Sequence, residues 1–269
     1  MSQSAHHYHK IYESSLELEA EWLRLGARPK ADSVQALVAD LAPPPESLCE
    51  LGCGTGAVLE ECMRRRLAKR YFAIDGSKEA LEYIRQRNGS QVVLACHDIE
   101  AGAPDLGVIF DLVVISHVIE HLRDPKPLLR SLIGKCEYLV AEVPLENQPV
   151  PWATAWLKSN LLGTKRADNL AGHVQFFSRG TFRSLIESTG WKILREHTYL
   201  PYNRQAIVFA HTRDHQPVWR GLAPYWLSRV GGRWLSSHLL NAHFAVLAAK
   251  KGIQRSIQSD FSGSQPAGQ

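Results

Sequence analysis

Residues Ser47 to Ala57 read Ser-Leu-Cys-Glu-Leu-Gly-Cys-Gly-Thr-Gly-Ala, and no other stretch narrows the fold so far. An apolar strand carries Glu50 near its end, breaks into three alternating glycines (Gly52, Gly54, Gly56) and enters a helix at Val58. Glycines at a strand-to-helix turn permit positive φ and let a ligand reach the backbone, with the helix amides directed at it. The helix then shows apolar pairs one turn apart, Val58/Cys62 and Leu59/Met63, while Arg64, Arg65 and Arg66 suit its far side. The turn reads as a nucleotide-type pocket.

The rest of the chain repeats a strand–helix rhythm. Residues 11–25 and 31–41 read as two helices, the second halted by Pro43-Pro44-Pro45. After the glycine turn come a strand Arg70–Asp75, a turn Gly76-Ser77 with Ser77 as N-cap, and a helix 78–87. Strands Val92–Cys96, Phe110–Ser116 and Tyr138–Val143 follow, with a Pro-initiated helix 127–135 before the last of them. Ser178 caps a helix 179–189 that Gly190 ends, and Trp191–Tyr199 is another strand. His243–Lys250 is expected as the final strand, with Ile207–His211 as its competitor. Strands alternating with short helices mean a parallel, doubly wound α/β sheet.

The remaining segments read as additions to one domain spanning 1–252. Residues 1–42 form a helical cap, 45–143 the cofactor-binding core, and 144–172 and 200–241 insertions that shape the acceptor side, with 253–269 a disordered polar tail. Residues 216–241 suggest one or two amphipathic helices. His6, His7 and His9 belong to a polar terminal stretch and carry no expected ligand role.

The 269 residues suffice for a substantial core, and a net charge of +4 is too small to imply nucleic acid or a membrane. Cys49, Cys53, Cys62, Cys96 and Cys136 are an odd set without a CxxC pair, which reads as buried thiols in a reducing compartment. No run of about 18 apolar residues offers a transmembrane span, and the N-terminus is too polar for a secretory signal. The expectation is a cytoplasmic protein, monomer or homodimer, with no nucleic-acid partner.

Gly52, Gly54 and Ala57 also satisfy the dinucleotide pattern G-x-G-x-x-G/A, with Asp75 at a suitable distance for a ribose. The neighbouring residues separate the options. Glu50, two positions before the first glycine, attracts a cationic aminoacyl or sulfonium group but repels a pyrophosphate. Asp98, after the third strand, suits the exocyclic amine of an adenine. The strands also run on without a second nucleotide-binding half.

These residues resemble the class I S-adenosylmethionine-dependent methyltransferases, in the small-molecule branch called type 11 or UbiG/UbiE-like. The pieces that match are Glu50-Leu-Gly-Cys-Gly-Thr-Gly56, Ile74-Asp75-Gly-Ser77, His97-Asp98-Ile99, Phe110 to His121, and Gly172-His173-Val-Gln-Phe-Phe-Ser178. The resemblance implies a Rossmann-like fold, a seven-stranded mostly parallel sheet with one late antiparallel strand, helices on both faces and helical cap segments. It implies S-adenosylmethionine as cofactor: Glu50 and the Gly52/Gly54/Gly56 turn at the methionine part, Asp75 on the ribose hydroxyls, Gly76 and Ser77 beside the adenosine. Asp98 and Ile99 would hold the adenine, and Ser116 and His117 would lie beside the sulfonium. Tyr12 is expected to close over the cofactor.

Transfer to a hydroxyl or amine also needs a base, and His121 or His173 is expected in that role, with Glu120 orienting a histidine. His117-Val-Ile-Glu120-His121 matches the zinc-peptidase pattern H-x-x-E-H, but it exits a buried strand rather than lying on a helix, so no metal is expected. Six of the seven tryptophans follow residue 150. Trp152 and Trp156 with Lys158, Lys165 and Arg166 could line a pocket for an apolar acid, and residues 216–241 could form a dimer face or rest on a membrane surface. The leading expectation is O-methylation of a small-molecule acceptor in a biosynthetic pathway. The alternatives are an NAD-linked oxidoreductase and a catalytically silent scaffold.

Overall fold

A computed structural model describes residues 3–147, 156, 172–201, 203–213, 218, 219, 222, 225, 226 and 242–250. Seven strands, β1 (Ser47–Leu51), β2 (Arg70–Asp75), β3 (Val92–Cys96), β4 (Phe110–Ser116), β5 (Cys136–Leu145), β6 (Trp191–Tyr199) and β7 (Ala242–Lys250), form one sheet. Their order is β3-β2-β1-β4-β5-β7-β6, and β7 alone runs opposite to the other six. This is the Rossmann-like sheet expected from the resemblance. Strand order reverses between β1 and β4, which opens a crevice beyond their carboxyl ends where such sheets bind ligands.

Side chains alternate across the pleat and divide the core in two. Leu48, Ala73, Val114, Val140 and Leu247 pack with Ala31, Val34, Leu59 and Ile84, which belong to α1 (Gln3–Val38), α2 (Ala57–Arg64) and α3 (Lys78–Asn88). Leu51, Val113, Leu139 and Val246 pack instead with Leu128 and Leu129 of α4 (Lys126–Ser131) and Phe182 and Ile186 of α5 (Arg179–Ser188). Helices therefore cover both faces. The pleat places Glu50, Asp75, Ser116, Glu142 and His243 on the α1 side, all at the carboxyl edge of the parallel strands.

Several boundaries differ from the sequence reading. The two helices read at 11–25 and 31–41 are one, beginning at Gln3 in the stretch read as a polar tail, with a kink at Ser15 and Pro29 inside it. Proline usually breaks a helix, but Ala27, Ala31, Val34 and Val38 form a buried stripe that holds the segment against the sheet. The candidate strand Ile207–His211 lies in helix α6 (Arg204–Arg213). Its β-prone run is overridden by the Asn203 carboxamide accepting from Gln205 N and by Phe209 stacking on Trp22 of α1. Helix α4 ends at Ser131, short of 135, because the chain turns through Gly134 at φ +91°. Cys96 is exposed rather than buried, since β3 is an edge strand; the other four cysteines are buried and all five are free thiols. The tail 253–269 lies outside the described residues, as does most of 148–171 and of 216–241. No described helix is long and apolar enough to cross a membrane.

Candidate active site

The glycine turn is built as a rigid shelf. Gly52, Gly54 and Gly56 all have positive φ, at +68°, +52° and +77°, where a side chain is strained. Space forbids a Cβ as well: it would stand 2.5 Å from Val118 Cγ2 at Gly52, 2.7 Å from the Tyr12 hydroxyl at Gly54 and 2.9 Å from Ile84 Cγ1 at Gly56. Tyr12, buried on α1, thus lies directly over the turn. Asp75 ties the turn to β2: one carboxylate oxygen accepts from Gly54 N at 2.8 Å, the other from Ser77 N at 2.9 Å. Ser77 caps α3, accepting from Ala80 N, and Gly76 lies between it and Asp75.

Glu50 is 3% exposed, and its Oε2 has no hydrogen-bond partner among the described residues. Burial is the main cause that lifts its pKa to about 8, against the opposing charge of Lys30. Asp98 caps the turn after β3, accepting from Glu100 N, and Ile99 packs against the core beside it. The β2–β3 register pairs Asp75 with Cys96, so Asp98 begins the loop next to Asp75.

Beyond β4 the chain folds into a short turn instead of a helix. His117 takes φ +58°, a left-handed conformation that costs an ordinary residue about 1 kcal/mol or more. Its Nδ1 lies 3.1 Å from Glu120 Oε1, so the histidine that Glu120 touches is His117. Glu120 is 0% exposed; burial would raise its pKa, but the His117 hydrogen bond and the nearby histidines lower it to about 2. The backbone carbonyl of Glu120 accepts from Val174 N and Gln175 N, both at 2.9 Å, which stitches the late segment to this turn. His173 is thereby brought against His121, ring centroids 4.8 Å apart and edge to face. His121 Nδ1 meets the Gly172 carbonyl at 3.2 Å, and His173 Nδ1 meets Glu146 Oε2 at 2.8 Å. Burial lowers the pKa of His121. His173 shifts the other way, because the hydrogen bond and charge of Glu146 outweigh its burial.

Four participants had no signal in the sequence. Glu142 (1% exposed), Tyr199 and His243 lie at the same edge, on β5, β6 and β7. Tyr199 donates its hydroxyl to Glu142 Oε1 at 2.9 Å, and Ser116 Oγ donates to the same oxygen at 3.3 Å. His243 Nδ1 stands 3.0 Å from both the Tyr199 hydroxyl and His117 Nε2. The fourth is Lys30 of α1, whose pKa burial lowers while Glu142, Glu120 and Glu50 pull it back up. Of the expected cap tryptophans, Trp156 is exposed, as are Trp219 and Trp226; Trp152, Lys158, Lys165 and Arg166 lie outside the described residues.

Residues 21–196 match a family model described as a methyltransferase domain. No curated protein is a significant match. Among solved structures, magnesium protoporphyrin IX methyltransferase (ChlM) from Synechocystis with bound S-adenosylhomocysteine is 14% identical, over 92% of this chain and all of that one, with a TM-score of 0.58. A SAM-dependent methyltransferase from Thermotoga maritima is 15% identical over 91% and 99% of the two chains, with a TM-score of 0.54. The [4+2]-cyclase SpnF is also similar, at 15% identity over 83% and 81%, with a TM-score of 0.57. At these identities the likeness is one of fold.

Proposed function

The chain belongs to the methyltransferase-domain family, and from that premise we propose that it transfers the methyl group of S-adenosylmethionine to a hydroxyl of a small molecule. The single observation that carries this reading is the buried Glu50 with an unpartnered oxygen, set beside a glycine shelf that a Cβ would obstruct. A carboxylate so placed favours a cationic ligand and opposes a pyrophosphate, which speaks against a dinucleotide. Bound there, S-adenosylmethionine supplies a methyl on a sulfonium, a leaving group that needs no activation.

The chain's residues do the rest. Glu50 and the Gly52/Gly54/Gly56 shelf hold the methionine part; Asp75 holds the ribose through its remaining lone pairs; Gly76 and Ser77 flank the adenosine; Asp98 and Ile99 take the adenine. Tyr12 roofs the turn and excludes water. Ser116 and His117 stand where the methyl is presented, and His121 or His173 removes the acceptor's proton, with Glu120 fixing the turn that holds them. Residues 1–252 act as one domain, in which 144–172 and 200–241 shape the acceptor side.

Isothermal titration with S-adenosylhomocysteine tests the cofactor half. Micromolar binding that Asp75→Ala weakens supports it; no binding, together with a response of NADH fluorescence, would replace it with the oxidoreductase alternative. A screen of small-molecule hydroxyl acceptors that never yields methylated product would leave a silent cofactor-binding scaffold. SpnF, a [4+2]-cyclase of similar fold, is a reminder that fold does not fix reaction.

A further inference from the structure

From the convergence of His117 Nε2, His243 Nδ1 and Glu142 Oε1, we infer that this edge of the sheet binds a divalent transition-metal ion of the zinc type, beside the cofactor crevice. The two nitrogens are 3.0 Å apart, and they stand 3.2 and 3.8 Å from the carboxylate oxygen. Metal–ligand distances of about 2.0–2.2 Å separate two corners of a tetrahedron by about 3.3–3.6 Å, so three corners are met once the 3.0 and 3.2 Å pairs open slightly and the 3.8 Å pair closes slightly. Two imidazoles and one carboxylate suit zinc-like ions and leave the fourth corner open.

The surroundings match what a metal ligand needs. His117 Nδ1 lies 3.1 Å from Glu120 Oε1, near enough for a small ring rotation to set a proton on Nδ1 and leave Nε2 its lone pair. Tyr199 and Ser116 both donate to Glu142 Oε1, so an ion there would displace one of these donors or turn the carboxylate to offer Oε2, which has no partner among the described residues. Glu120 and Glu142 are buried on either side of His117, so a bound cation meets negative charge there. The histidine side chains retain 18% and 14% exposure, which gives an ion a way in. At the open corner an acceptor hydroxyl would bind and acidify, its proton passing to a neighbouring histidine.

The probe is Co²⁺ alone, titrated into full-length protein freed of metal by a chelator, without cofactor, so the result is independent of S-adenosylhomocysteine binding. The expectation is one equivalent bound with the intense visible bands of a tetrahedral site. Affinity should fall at least tenfold in His243→Ala, fall about 10–100-fold in Glu120→Gln as a positioning residue, and persist in His173→Ala. Glu120, His121 and His173 form a second group of ligand atoms within 4.8 Å of one another, which the last variant tests. No stoichiometric binding would leave the network as hydrogen bonds only and overturn the inference. Binding lost in His173→Ala would overturn it too, even if His243→Ala fails to fold.

Discussion

Glu50 illustrates how burial turns an ordinary carboxylate into a ligand-gated proton donor. With its pKa near 8 it is mostly protonated at pH 7, and a cation bound beside it favours the ionised form. Cofactor binding should therefore release up to one proton, seen as a dependence of titration heat on buffer ionisation enthalpy. Apparent affinity should climb up to about tenfold as pH rises from 7 through 8 and then level off. Glu50→Gln should abolish the proton release and weaken binding about 10–100-fold. Gly54→Ala combines a left-handed φ with a Cβ 2.7 Å from the Tyr12 hydroxyl, so it should lower cofactor affinity, and adding Tyr12→Phe should restore part of it. The two candidate bases differ by sign. His173 is held above the usual imidazole range by Glu146 and Glu120, and His121 is pushed below it by burial. A base works deprotonated, so a pH–rate profile rising above pH 6.5 points to His173 and one rising below it to His121. Silencing the responsible residue should cost about 10²–10⁴-fold in kcat.

Helix α1 joins the fold to the site. Its Ala27–Ala31–Val34–Val38 stripe lets the backbone lie close on the sheet, and polar anchors fix it at β6: His197 to Ser33 at 3.0 Å and Arg195 to the Leu37 carbonyl at 3.4 Å. From this roof Tyr12 and Lys30 reach the crevice. Ala31→Phe should overpack the contact, lower stability by about 1–3 kcal/mol in urea denaturation and reduce cofactor affinity as the roof lifts. Composition could not reveal this role. A helix with Pro29 inside and mixed polarity outside reads as two pieces, and nothing local says which turn overlies the glycines. Helix α6 shows the same limit, because Ile207-Val208-Phe209 is strand-like until Trp22 stacks on it.

Taken whole, the molecule puts every buried acid of the site at one sheet edge, so ligand binding should stabilise the entire domain. S-adenosylhomocysteine at about a hundredfold its Kd should add about 2.7 kcal/mol and raise Tm by about 5–10 °C, while NADH should leave Tm unchanged. Much of the fold was legible beforehand: β2, β3, β4 and β6 fall where residue pattern places them, β2 and β4 because buried parallel strands are short apolar runs, β3 and β6 because turn residues bound them. The glycine turn was equally plain, since backbone geometry there admits few residues and leaves a local mark. Contacts between distant strands leave none. Glu142, Tyr199 and His243 sit 57 and 44 positions apart along the chain, each unremarkable in its own strand, and they meet because β7 turns back between β5 and β6. Local chain geometry thus specified the glycine shelf and the acid beside it. That Glu142, Tyr199 and His243 meet His117 was settled by strand order, and Lys30 by the packing of α1, because register and packing bring together groups that no sequence spacing relates.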